Sequence, residues 1–177
     1  GMYGIHGSGA LLFSERVDPV PLLYGGTGSE SFNLKMPQFY PDRLESGTVN
    51  YPAIVSLAEG VLYLKSHFNE ERDKLFHLTS LVHRELSLMP FVKLYSRPNR
   101  VGIVSFELEG MGSEQAAYRL SEEYSVCVRG GLHCAPLMHE SLGTAEGGLI
   151  RASLSPFNSE REAELFFTAL KSIAAGR

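Results

Sequence analysis

Arg129-Gly-Gly-Leu-His133-Cys134-Ala-Pro-Leu-Met-His139 gathers a thiol, two imidazoles and a guanidinium around paired glycines. Such glycines suit a chain that must turn sharply and lift one side chain clear of a packed framework. Cys134 is the side chain this turn would present. Beside His133 and five residues after Arg129, it has the electropositive, partly exposed setting that favours the thiolate, the reactive form of cysteine. The competing expectation is a small buried hydrophobe, the commoner fate of a single cysteine. Metal ligation by Cys127, His133, Cys134 and His139 would call for paired C-x-x-C knuckles, which are missing, so no metal is expected. Cys127 lies in a Val-Cys-Val run expected to form a strand with the thiol packed. Nothing in the sequence points to secretion, so a Cys127–Cys134 disulfide is not expected either.

Working outward, residues 126–129 are expected to form the strand that delivers the loop. Ser113 to Tyr124 has the period of an amphipathic helix, with Ala116, Ala117, Leu120 and Tyr124 inward. Residues 92–95 and 101–108 are β-branched and aromatic runs separated by the turn Arg97-Pro-Asn-Arg100, and predict two strands. In a strand over 150–155, Ile150, Ala152 and Leu154 share one face and Arg151 and Ser153 the other. Asn158-Ser159 is expected to cap a final helix that buries Ala163, Phe166, Phe167, Leu170 and Ile173. Strands and helices alternating in this way predict an α+β domain.

Upstream, residues 50–86 show helical spacing in Ile54, Leu57, Ala58, Val61 and Leu62, then in Leu75, Leu78, Val82 and Leu86. Asn50 and Pro52 suit an N-cap and a first-turn proline. Asn69-Glu-Glu looks like a fresh N-cap, predicting a break between Ser66 and Asn69. His67, His77 and His83 share no helical face with a carboxylate pair and are taken as structural or surface residues. Residues 10–13 and 20–23 are short apolar runs, the first expected to be a buried strand. Gly25-Gly-Thr-Gly-Ser29 is a loop that would let a ligand approach the backbone, a weak phosphate signal by itself.

The segment Arg129-Gly-Gly-Leu-His-Cys134-Ala-Pro resembles the active-site cysteine loop of cysteine desulfurases and selenocysteine lyases. These are class V aminotransferases, pyridoxal-phosphate enzymes of the aspartate-aminotransferase fold. Further blocks resemble that family in the same order: Gly4-Ile-His-Gly-Ser-Gly9, Gly25 to Ser29, Arg43-Leu-Glu-Ser-Gly47-Thr48-Val-Asn50, and Leu149-Ile-Arg151-Ala-Ser-Leu. The resemblance implies a mixed α/β and α+β chain, the C-terminal portion of that fold. Residues 1–66 would hold the end of the large-domain sheet and the start of the inter-domain helix, and 67–177 the small domain with the cysteine loop.

Carried over residue by residue, it makes Cys134 the catalytic nucleophile and Arg151, with Arg129 and His133, the substrate-binding group, Arg151 forking onto the α-carboxylate. Gly47 and Thr48 would reach the cofactor phosphate of the partner subunit in a homodimer. The implied activity removes sulfur or selenium from L-cysteine or L-selenocysteine, leaving L-alanine and a persulfide on Cys134. None of the five lysines (Lys35, Lys65, Lys74, Lys93, Lys171) matches the family's Schiff-base lysine, which would fall just before Gly1. Gly1 before Met2 is taken as a tag-cleavage scar. The expectation is a truncated chain, inactive alone and without covalent pyridoxal phosphate, served by an N-terminal half or handing sulfur to an acceptor protein; the alternative is a non-catalytic dimeric remnant.

Composition is consistent with a compact fold: 177 residues, 44% hydrophobic and 20% charged. A net charge of -4 with no basic run gives no electrostatic case for nucleic acid. No apolar run approaches the roughly 20 residues of a membrane span, and no signal peptide is visible, so the expected location is cytoplasmic.

Overall fold

A computed structural model describes residues 2–176. It divides into two compact units, Gly1–His67 and Phe68–Arg177, and contains a mixed set of helices with one small sheet.

The second unit is built on three antiparallel strands in sequence order: β1 (Val92–Leu94), β2 (Ile103–Leu108) and β3 (Ile150–Ser153). Alternation decides which face is buried. Val104, Phe106 and Leu108 of β2 point inward with Ile150 and Ala152 of β3. Onto that face pack α2 (Ser113–Tyr124), α4 (Glu160–Ala175) and the last turns of α1 (Tyr51–Ser87), through Ala116, Leu120, Phe166, Leu170, Ile173, Val82 and Leu86. Phe106 is fully buried and meets Phe166 edge to face at 6.1 Å. A ring pair of this kind adds about 0.5–1.5 kcal/mol to the area it buries.

The inward set expected for α4 is buried in full. Its start is a capping box: the Ser159 hydroxyl accepts from the Glu162 amide at 3.3 Å while the Glu162 carboxylate accepts from the Ser159 amide at 2.7 Å. The Ser159 amide and, at 2.9 Å, the Ser159 hydroxyl both donate to the Glu162 carboxylate and hold its carboxyl below the usual glutamate range, the amide contributing most. In α2, Ala116 and Leu120 are buried, but Tyr124 is exposed because the helix ends there, with Ser125 in a left-handed conformation.

The expected break near Ser66 does not occur: α1 runs unbroken for 37 residues. Its polar side chains fold back onto helix carbonyls, the Ser66 hydroxyl on Leu62 and the His67 Nδ1 on Tyr63. Asn69 in mid-helix costs only a fraction of about 1 kcal/mol, too little to stop a helix that buries Leu78, Val82 and Leu86 farther on. Asn50 caps the start, its Oδ1 accepting from Ala53 at 3.2 Å.

The first unit departs further from expectation. Residues 10–13 and 20–23 form no strand, and Leu12 and Leu22 are 88% and 95% exposed. Among the described residues of this unit no other strand offers them a ladder, and an apolar run alone cannot satisfy its own backbone in sheet form. The segment is tied down instead by Asp18, which accepts from Tyr40 at 2.9 Å and from Arg43 Nη1 and Nη2 at 2.8 and 3.3 Å. Gly47 donates to the Gly26 carbonyl at 2.7 Å, which brings the Gly25–Ser29 loop against the Arg43–Asn50 segment. No helix among the described residues is long and apolar enough to cross a membrane.

Candidate active site

The cysteine loop hangs between α2 and β3. The strand expected over 126–129 is reduced to one bridge, in which Arg129 and Arg151 exchange backbone hydrogen bonds of 3.0 and 2.7 Å. Val126 and Val128 still turn toward the core, so Cys127 between them faces outward and is exposed, not packed.

After Gly131 (φ +94°) the chain makes a turn whose central residues, His133 and Cys134, both have positive φ, at 53° and 59°. The Ala135 amide closes it onto the Leu132 carbonyl at 2.9 Å. Holding two residues with Cβ atoms in the left-handed region costs about 1–3 kcal/mol each, and strain of this kind persists only where the surroundings fix it. The turn leaves Cys134 exposed at its tip. Pro136 then opens a short helix, α3 (Pro136–Leu142), that ends on Gly143 with φ +69°. Proline at the start and glycine just past the end are ordinary helix signals, and Pro136 and Gly143 carry them here.

Arg129 reaches back so that its Nη2 lies 3.6 Å from the Cys134 sulfur. His133 does not share that task. Its Nε2 lies 3.1 Å from the Arg129 carbonyl, which can only accept, so Nε2 carries the hydrogen. Burial pushes its pKa below the usual histidine value, and the nearby Arg151, His139 and Arg129 push the same way against that one hydrogen bond. The positive charge beside the thiol therefore comes from Arg129. His139 is buried, holds Thr144 through Nδ1 at 2.8 Å, and stands 5.7 Å from the His133 ring.

Arg151 extends from β3 on the face opposite the core, between buried Ile150 and Ala152. Its Nε is buried and has no hydrogen-bond partner among the described residues. An unused buried donor on a guanidinium suits an anion that completes it, and a carboxylate meets the fork in plane. Gly47 (φ +87°) and Thr48 are exposed just before α1 in the first unit. Open space around Gly47 and the Thr48 hydroxyl would accommodate a phosphate group. No lysine lies in 43–50 or 129–151.

The family model for aminotransferase class-V matches residues 2–166. A probable cysteine desulfurase of Methanothermobacter thermautotrophicus is 28% identical over 98% of this chain and 45% of its own length. One of Xylella fastidiosa is 32% identical over 96% of this chain and 41% of its own. The solved apo structure of a cysteine desulfurase from Thermococcus onnurineus superposes with a TM-score of 0.75 at 28% identity, covering 89% of this chain and 40% of that one. The chain thus spans about two fifths of the length of the curated relatives it matches. The chain belongs to the class-V aminotransferase family.

Proposed function

We propose that this chain supplies the sulfur-accepting cysteine and the carboxylate-binding arginine of a cysteine desulfurase. The observation that carries the proposal is Cys134: an exposed thiol at the tip of a strained turn, 3.6 Å from Arg129 Nη2. Arg151, joined to Arg129 by paired backbone bonds, would take the α-carboxylate of L-cysteine or L-selenocysteine on its unpartnered Nε side. With the substrate so oriented, the Cys134 thiolate attacks the substrate sulfur. A sulfur–sulfur bond forms as the carbon–sulfur bond breaks. The carbon keeps that electron pair and takes up a proton, leaving alanine and a persulfide on Cys134. Pyridoxal phosphate, when bound, would delocalise the electron pair at the reacting carbon. Gly47 and Thr48 would hold its phosphate across a homodimer.

The test is persulfide trapping and peptide mass mapping after treatment with a small persulfide donor. The expected product is one extra sulfur on Cys134, lost in Cys134→Ser and kept in Cys127→Ser. Equal labelling of the two cysteines would overturn the assignment. With L-cysteine and pyridoxal phosphate, borohydride reduction is expected to leave no adduct on a specific lysine and alanine is expected not to form; a single reduced lysine adduct would show that the chain has its own replacement.

A further inference from the structure

We propose that Ser113 is the positioning residue of the cysteine loop, a clasp that closes the loop's two stems and so sets where Cys134 stands relative to Arg129 and Arg151. Ser113 opens α2 and lies 18 residues before one stem and 34 before the other. It is one of the few buried polar residues of the second unit, at 5% exposure. Its hydroxyl donates to the Gly147 carbonyl at 2.6 Å and accepts from the Gly131 amide at 3.1 Å. One side chain therefore holds the residue that enters the loop and the residue that leaves it.

The glycines around it allow this closeness. A Cβ on Gly130 would meet the Ser113 carbonyl at 2.5 Å and Glu114 Cα at 2.7 Å, and one on Gly148 would meet Gly131 backbone atoms at 2.5–2.6 Å. Leu149 donates to the Gly131 carbonyl at 3.1 Å. The stems are thus packed backbone to backbone, with the Ser113 hydroxyl as the side-chain bond between them. Beyond that junction the His133–Cys134 turn carries two positive φ values, and a firm base is what keeps it there. Removing the hydroxyl takes the shared hydrogen-bond partner from the part-buried Gly131 amide and from the Gly147 carbonyl, so nothing but backbone packing and the Leu149 bond then holds the stems together, which favours their parting. Ser113 touches neither thiol nor guanidinium, so it acts through the loop. Its relevance to sulfur transfer rests on the assignment of Cys134 above, but its effect on placement does not.

The experiment uses charge-selective labelling of the whole chain, with Cys127 as the internal comparator. Rates of mass labelling are measured with the anionic sulfonatoethyl methanethiosulfonate and the cationic trimethylammonioethyl methanethiosulfonate. In the unaltered chain the anionic-to-cationic ratio is expected to be higher at Cys134 than at Cys127. Ser113→Ala is expected to lower the Cys134 ratio at least about threefold with the Cys127 ratio unchanged, and Ser113→Thr, which keeps a hydroxyl, to restore it. An unchanged ratio in folded Ser113→Ala would overturn the proposal. Should that variant fail to fold, hydrogen exchange in the unaltered chain decides: the Gly131 amide is expected to be as protected as that of Leu149, and exchange at the rate of an open amide would overturn it. Failure of the persulfide test with success here would reject the sulfur-accepting role alone.

Discussion

Replacing Gly148 by alanine sets one methyl group against the base of the cysteine loop. Its Cβ would stand 2.5–2.6 Å from Gly131 C, Cα and O, all backbone atoms that cannot rotate away, at a φ of +61°. The left-handed conformation alone costs alanine about 1–2 kcal/mol. Relief of the contact requires the stems to separate, which loses the Leu149-to-Gly131 bond and strains the Ser113-to-Gly147 bond, each worth about 0.5–1.5 kcal/mol. The expected loss is about 3–4 kcal/mol, which in a cooperative unit of about a hundred residues lowers the unfolding midpoint by more than about 10 °C. Gly147→Ala is the control, because its Cβ would meet nothing within 4 Å, and its effect is expected to stay within about 0.5 kcal/mol. Thermal unfolding by circular dichroism compares the two variants, and hydrogen exchange at Leu149 detects a loop that detaches before the core melts. Equal midpoints together with equal Leu149 protection would refute the packing described for the stems.

Four other outcomes are expected. Phe106→Ala removes a fully buried ring from the centre of the sheet face and should cost about 3–5 kcal/mol in urea unfolding. Arg129→Gln should slow modification of Cys134 by the anionic methanethiosulfonate about threefold and leave Cys127 as it was, since only the former sulfur faces the guanidinium. Glu162 has a lowered carboxyl pKa in the fold, so its contribution is complete above the ordinary glutamate range and is lost as pH falls through the folded value; the acid limb of the stability profile should flatten in Glu162→Gln. His133 should titrate below the ordinary histidine value by NMR, and because the unfolded chain takes up that proton first, lowering the pH through the histidine range should weaken the fold.

Much of the second unit was legible in the sequence because its signals are local. The α4 cap is written in Ser159 and Glu162, and the two faces of β3 follow from Ile150-Arg151-Ala152 alone. Strands whose partners had to be inferred fared worse. Residues 10–13 have the composition of a strand but no ladder, and 126–129 pair only through Arg129, because a strand is a property of two segments. Asn69-Glu-Glu imitated a helix start in the middle of α1, where distant packing of Leu78 and Val82 decided the matter. At the candidate site, the exposure of Cys134 and its nearness to Arg129 follow the motif. The turning of His133 onto a backbone carbonyl and the joining of Gly131 and Gly147 through Ser113 do not, since each depends on the folded path of the loop.

The short β3 strand has a consequence for how this chain tolerates change in length. Ile150 and Ala152 are locked into the core while Arg151, one residue along, is the rung shared with Arg129. One added or deleted residue between Gly148 and Ile150 would invert that alternation, driving a guanidinium inward and an isoleucine out to water. The loop between Leu132 and Glu146 is under no such parity. Its tip can change length and composition, within what Cys134 needs, while the frame that measures the distance between the two arginines admits no frameshift.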